Sequence, residues 1–475
     1  MQNFNKRFIY FICLVSAMGG LLFGYDWVVI GGAKPFYEAY FGIEGNATLQ
    51  GLAMSIAIAG CLIGAMTAGW LGDRYGRKPL LLASAIIFLV SAYATGAFNN
   101  FFWFLAARFV GGIAIGIASG LSPMYIAEVS PAKNRGRLVS INQLTIVLGI
   151  LAAQIANWLI AEPLPEGVIL PSITSWNVQW GWRWMFWGEA IPSIVFLVMV
   201  FFIPESPRWL AMKGHTDRAT RILETIGGSL YAEEEIEACR ATRNDDSEKE
   251  GIKSLFTKQL RFILLLGLVI AVFQQWCGTN VIFNYAQEIF TNAGYDLGDM
   301  LFNIVLTGIT NVIFTFVAIY TVDRLGRRSL MLGGASGLAI IYLILGTAYY
   351  FNITGFFMIL LVVAAIACYA MTLGPVTWVL LSEIFPTRVR AAAMGVCTFA
   401  LWTGCFTLTY SFPSLNSSLG SYGTFWIYAL ICLAGYIFFY LKLPETKGKK
   451  LEDLEKELTG KNQENENEIL PYIKN

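Results

Sequence analysis

Gly72-Asp73-Arg74-Tyr75-Gly76-Arg77-Lys78 returns 250 positions later as Val322-Asp323-Arg324-Leu325-Gly326-Arg327-Arg328. Each copy lies between two long apolar stretches at the same place in its half of the chain. The economical reading is a duplicated membrane bundle, and a duplicated bundle holding buried polar groups points to a transporter.

Composition supports a membrane class. With 56% hydrophobic residues, 14% charged residues and 34 Phe in 475 positions, the chain has too little charge to coat a soluble globule. A spanning helix needs about 20 apolar residues. Twelve such stretches are read at 8–30, 49–71, 79–98, 101–127, 138–160, 184–203, 262–290, 300–322, 329–350, 355–381, 391–413 and 421–443. Internal Gly and Pro are tolerated where neighbouring helices repair the backbone, so the expected fold class is an all-α membrane protein of two six-helix halves.

Lys and Arg collect on cytoplasmic loops. Of 33 such residues, 30 fall in the terminal tails or even-numbered loops; Lys34 and Arg183 are assigned outside and Arg108 lies within a span. Both termini are therefore expected in the cytoplasm. Lys6-Arg7 precede an apolar run that continues past Gly24-Tyr25-Asp26 with no convincing cleavage site, so this run is read as the first span. Seven of eight Cys lie in spans without a C-x-x-C pair, and His215 is the sole histidine. These counts argue against a disulfide framework, a metal, a cofactor and a nucleophile–base enzyme. Nothing points to nucleic acid.

Residues 204–258 break the apolar pattern with Arg208, Lys213, Asp217, Arg218 and the run Glu233-Glu234-Glu235. They read as a cytoplasmic linker carrying amphipathic helices over Thr216 to Ile226 and Ala232 to Thr242. The expected domains are 1–203, the linker 204–258, 259–443, and a polar tail at 444–475. Further echoes support duplication. Glu128 precedes Arg135 by seven residues as Glu383 precedes Arg390, while Pro204-Glu205-Ser206 and Pro444-Glu445-Thr446 close the sixth and twelfth spans. Arg74, Arg77, Arg324 and Arg327, beside Asp73 and its repeat, sit where they can pair with Glu128, Glu205, Glu383 or Glu445. Such pairs are expected to form a cytoplasmic gate, with Gly76 and Gly326 in tight turns.

Asp26 lies about 18 residues beyond the inner end of span one, roughly 27 Å up, and Arg108 about 10 Å from the outer end of span four. Both fall in the outer half, and an intramembrane ionisable residue marks an ion pathway by default. Gly112, Gly116 and Gly120 continue the face of Arg108, and Gly20 and Gly24 approach Asp26, which predicts close helix packing. Gln274 and Gln275 are near the middle of span seven and Asn311 of span eight; Gln143 enters from span five. An amide both donates and accepts, as a hydroxyl ligand does. Trp378 offers an apolar ring face. Gly278 and Gly374-Pro375 are expected to loosen spans seven and ten.

The two D-R-x-G-R-[KR] loops, Pro204-Glu205-Ser206-Pro207-Arg208-Trp209-Leu210, Gln274-Gln275 with Asn280, and Pro444-Glu445-Thr446-Lys447-Gly448 together closely resemble the sugar porter family of the major facilitator superfamily. The resemblance covers 8–450 and is nearest to its bacterial xylose/proton members. It implies Asp26 as the proton carrier, because facilitators typically have a neutral residue there; Arg108 matches both groups. It implies that the counterpart of Trp402 borders the cavity, although core packing is the commoner role for such a residue. Where the xylose members have further glutamines, this chain has Ile150 and Leu401, with Tyr369, Tyr285 and Asn284 as compensating candidates.

The expected function is proton-coupled uptake of a hexose or pentose by alternating access, by a monomer in a bacterial inner membrane. The alternatives are a uniporter of the same fold and a transporter-like sugar receptor. N-x-[ST] sequons at Asn46, Asn352 and Asn416 fall on expected outer loops, and chance accounts for them.

Overall fold

The computed structural model describes residues 4–131, 134–163, 172–245, 255–257, 260–386 and 389–447. The middle of the linker and the tail from 448 lie outside the described residues. Everything regular among the described residues is helical. Eleven helices are long and apolar enough to cross a membrane. The last, α18 (Arg390–Lys442), bends at Gly420, where φ is 69°, and so holds two spans. The protein is thus an integral membrane protein with twelve crossings, two of them in one kinked helix.

The first half is α1 (Lys6–Phe41), α2 (Ala47–Tyr75), α3 (Arg77–Ala97), α4 (Phe101–Val129), α5 (Arg135–Ile160) and a sixth span. That span begins with a π-helical turn at Asn177–Gly181 and runs through α6 (Trp182–Trp187) and α7 (Ala190–Phe202). Short helices α8 (Pro207–Met212), α9 (Thr216–Gly227) and α10 (Ser229–Asp245) follow and pack on one another. The seventh span is in pieces: α11 (Arg261–Trp276), α12 (Thr279–Asn284) and α13 (Ala286–Asn292). Gly278 makes the first break with φ of 88°. After α14 (Leu297–Leu325) and α15 (Arg327–Tyr350), the tenth span divides into α16 (Phe356–Met371) and α17 (Leu373–Ile384). The division falls at Thr372 rather than at Gly374-Pro375. Pro375 sits in the first turn of α17, where its missing N–H costs nothing, so the break moves ahead of it.

Two compact units result. Unit 1 comprises Met1–Ser247, Val281–Val312 and Thr409–Ser418; unit 2 comprises Glu248–Asn280, Ile313–Leu408 and Leu419–Asn475. Within unit 1, α2 packs along α4 and α1 along α5. Glycine makes both contacts possible. A Cβ on Gly112 would collide with the Ala57 carbonyl oxygen, on Gly116 with that of Cys61, and on Gly24 with that of Ile146. Gly120 has more room, its nearest neighbour being Ala68 Cβ at 3.5 Å. Gly112→Val should therefore destabilise the protein by about 1–3 kcal/mol or more, read as a lower melting temperature in detergent. Gly69→Ala, where no atom lies within 4 Å, should leave it unchanged.

Two sequence assignments are corrected, one by α1 and one by α6. The helix does not end near residue 30 but continues through Pro35 to Phe41, which puts Lys34 inside a helix and 2% exposed rather than on a loop. Arg183 is likewise helical and buried in α6, donating to the Gly96 carbonyl at 2.6 Å and to Asn99 Oδ1 at 2.8 Å.

Candidate functional site

The ends of α3 and α15 repeat one construction. In unit 1 the Glu205 carboxylate accepts the backbone N–H of Arg77 at 2.9 Å and of Lys78 at 3.2 Å, satisfying amides that an N-terminus leaves unpaired. A carboxylate there also complements the helix dipole. The Arg77 guanidinium pairs with Glu128 at 2.8 Å and Asp73 at 3.1 Å. In unit 2, Glu445 accepts the N–H of Arg327 at 3.0 Å and of Arg328 at 3.2 Å, while Arg327 pairs with Glu383 at 3.2 Å. Thr446 Oγ1 also donates to Glu383, at 2.5 Å. Gly76 and Gly326, with φ of 99° and 86°, form the turns, and a Cβ on either would strike the capping carboxylate.

The paired members are therefore Arg77 with Glu128 and Arg327 with Glu383, each within one unit. Glu205 and Glu445 are helix caps. Arg74 is exposed and stacks over Trp70 and Tyr75 at 5.5 and 5.3 Å, and Arg324 and Arg135 are exposed. Arg390 Nε donates to the Phe385 carbonyl at 3.2 Å.

Within unit 1, Asp26 and Arg108 meet as their depths require. Arg108 Nη1 donates to Asp26 Oδ1, and Nη2 to the Asp26 carbonyl at 3.3 Å; both residues are 2% exposed. Gly111 lies beside them, where a Cβ would come within 3.5 Å of Asp26 Oδ2. Glu189, between α6 and α7 and also 2% exposed, is electrostatically linked to both. Asp26 is not the only acidic residue buried in this half: Glu189 is a second and Glu38 a third. The signal was present: a Glu inside the apolar stretch Trp184 to Ile203. Asp26 Oδ2 and Glu189 Oε1 have no hydrogen-bond partner among the described residues. The cluster is one guanidinium facing two carboxylates, a composition that can hold a proton.

Unit 2 contains a chain of neutral polar groups. Asn280 Nδ2 donates to Gln275 Oε1, Gln275 Nε2 to Gln274 Oε1, and Gln274 Nε2 to the Tyr369 hydroxyl at 2.5 Å. Asn280 Nδ2 also lies 3.9 Å from Cys405 Sγ. Trp378 is 39% exposed on α17, while Trp402 is buried in α18. Unit 1 holds the rest: Gln143 exposed on α5, Asn311 buried on α14, and Tyr285 buried with its hydroxyl donating to the Thr409 carbonyl at 2.7 Å.

The chain matches the family model of the sugar (and other) transporters over residues 12–458. It is similar to the arabinose-proton symporter of Bacillus subtilis, 35% identical over 96% of both chains. It is equally similar to the D-xylose-proton symporter of Escherichia coli, 35% identical over 95% of this chain and 96% of that one. Among solved structures, the inward-open conformation of the xylose transporter XylE from E. coli matches with a TM-score of 0.82 at 34% identity, covering 94% of this chain and 99% of that one. A repeated Arg–Glu construction, a buried Asp–Arg pair and twelve crossings are thus accompanied by similarity along the whole chain, and the protein belongs to the sugar transporter family, with the major facilitator fold.

Proposed function

We propose that the protein takes up a monosaccharide, a hexose or a pentose, by alternating access coupled to proton entry. The observation that carries this reading is the buried Asp26–Arg108 pair with Glu189 beside it. Neutralising a buried carboxylate that faces a guanidinium frees the guanidinium. Asp26 takes the proton on its uncommitted Oδ2, and Arg108 then turns to Glu189. That exchange alters how α1, α4 and the sixth span hold together, which links proton occupancy to the cycle.

The sugar is recognised by the Gln274–Gln275–Asn280–Tyr369 chain, whose amides and hydroxyl can exchange their mutual hydrogen bonds for sugar hydroxyls. Gln143 and Asn311 supply further partners, Trp378 an apolar face, and Trp402 mainly packing. The halves 1–203 and 259–443 are the moving bodies, joined by the 204–258 linker and followed by the 444–475 tail. Both termini lie in the cytoplasm of a bacterial inner membrane, and the monomer suffices. The Arg77–Glu128 and Arg327–Glu383 pairs hold helix ends in the arrangement that closes the cytoplasmic side.

A buried hydroxyl or amide left without its partner costs about 1–3 kcal/mol. Gln275→Ala should weaken sugar affinity by about tenfold, as should Gln143→Ala and Trp378→Ala, whereas Trp402→Ala should lower thermal stability instead. Equilibrium binding by tryptophan fluorescence checks this; unchanged affinity in two of the first three variants places the sugar elsewhere. The identity of the sugar is tested by uptake into proteoliposomes across a panel of hexoses and pentoses, with and without a proton gradient. Uptake of none of them, by folded protein, refutes the reading.

A further inference from the structure

A second buried charge cluster lies in unit 1, in neither the proton site nor the sugar site. Lys34 Nζ, at 2% exposure, pairs with Glu38 at 3.0 Å one turn along α1 and with Glu288 on α13. Glu38 also accepts from Gln50 Nε2 at 3.0 Å, and Glu288 from Asn416 Nδ2 at 3.4 Å. Lys34 lies 5.6 Å from the centre of the Tyr285 ring, whose hydroxyl is fixed to Thr409. One ammonium thus ties α1 to residues around 285–288, and Glu288 extends the tie to 416. The nearby backbones also touch: a Cβ on Gly31 would come within 3.1 Å of the carbonyl oxygens of Phe283 and Asn284.

Those distant segments are the ones that sequence duplication assigns to the other half. The chain passes from unit 2 to unit 1 at Asn280–Val281, immediately after the amide chain and three residues after the Gly278 break. The segment that carries Glu288 is therefore covalently continuous with Asn280, eight residues away. Any motion that takes 281–292 off α1 must break the buried ion pair. Leaving Lys34 without one carboxylate while it stays buried is expensive, so the pair favours closure strongly.

We propose that Lys34 is a positioning residue for transport: it draws the α12–α13 segment onto α1 through Glu288 when the outer side closes, and thereby sets where Asn280 stands in the sugar site. Glu38 holds the ammonium ready on α1 while Glu288 is away, so closure needs no new cation. The sugar's role in this proposal rests on the function proposed above; the closure itself does not. A cation at 34 and an anion at 288 are therefore both needed.

The test uses the full-length protein with Ala286→Cys, a small buried residue at the start of α13, labelled by a membrane-impermeant maleimide and read at residue 286 by mass spectrometry. Lys34→Met should label about tenfold faster or more, because the open population rises as the closed one loses its pair. Its energised uptake rate should fall about tenfold, while KM moves by less than about threefold. Lys34→Arg, which keeps the cation, should retain wild-type behaviour. If Lys34→Met fails to fold, Glu288→Gln, which keeps the contact to Asn416 and leaves Lys34 paired with Glu38, should show the same faster labelling. Wild-type labelling in a folded Lys34→Met or Glu288→Gln protein overturns the proposal, and so does Lys34→Arg labelling as fast as Lys34→Met. If the wild type carries no sugar but labelling responds as stated, the sugar reading fails and the closure stands.

Discussion

Asp26→Asn is expected to carry sugar only to the outside concentration, however large the proton gradient, while exchanging labelled for unlabelled sugar at a substantial rate. The substitution keeps the size and the hydrogen-bonding capacity of the side chain and removes the group that gains and loses the proton. It also removes the carboxylate facing Arg108, leaving that buried guanidinium with Glu189 as its remaining acidic neighbour. Breaking a buried pair by deleting one partner costs about 3–5 kcal/mol, so Glu189 must take over most of the pairing for the variant to stay folded. The double variant Asp26→Asn with Glu189→Gln should accordingly be much less stable than either single change. Accumulation at wild-type level by Asp26→Asn removes Asp26 from coupling.

Glu383→Arg should produce the other large effect, on the resting equilibrium. It replaces the partner of Arg327 with a second guanidinium and removes the acceptor of Thr446 Oγ1. A loss of about 1–3 kcal/mol from the arrangement that closes the cytoplasmic side shifts the population toward its open form by about tenfold or more. A Cys placed on the cytoplasmic side of the cavity should react faster and one on the outer side more slowly. Unchanged reactivity on both sides in folded protein assigns the charge repeat to topology alone.

The repeated motif, the apolar stretches and the depth of Asp26 and Arg108 were legible in sequence because each follows from counting residues along a helix of fixed rise. Lys34 was not legible for the same reason. The first apolar stretch is read as stopping at residue 30, whereas the helix runs on to Phe41 with Gly31 packed against the carbonyls of Phe283 and Asn284. Glu189 lies near the expected start of span six, whereas the span begins about two helical turns earlier, with the π turn at Asn177–Gly181. Which Arg meets which Glu was likewise beyond sequence: several pairings satisfy the spacing, and only the fold decides that Glu205 and Glu445 cap helices while Glu128 and Glu383 take the guanidinium groups.

The central claim is that sugar and proton move together, and the most direct measurement is internal pH in proteoliposomes carrying a trapped pH dye with no gradient imposed. Adding the transported sugar outside should acidify the interior of wild-type vesicles, and should leave the pH of Asp26→Asn vesicles unchanged although sugar still enters. Sugar entry into wild-type vesicles without acidification would contradict the account and make the protein a uniporter.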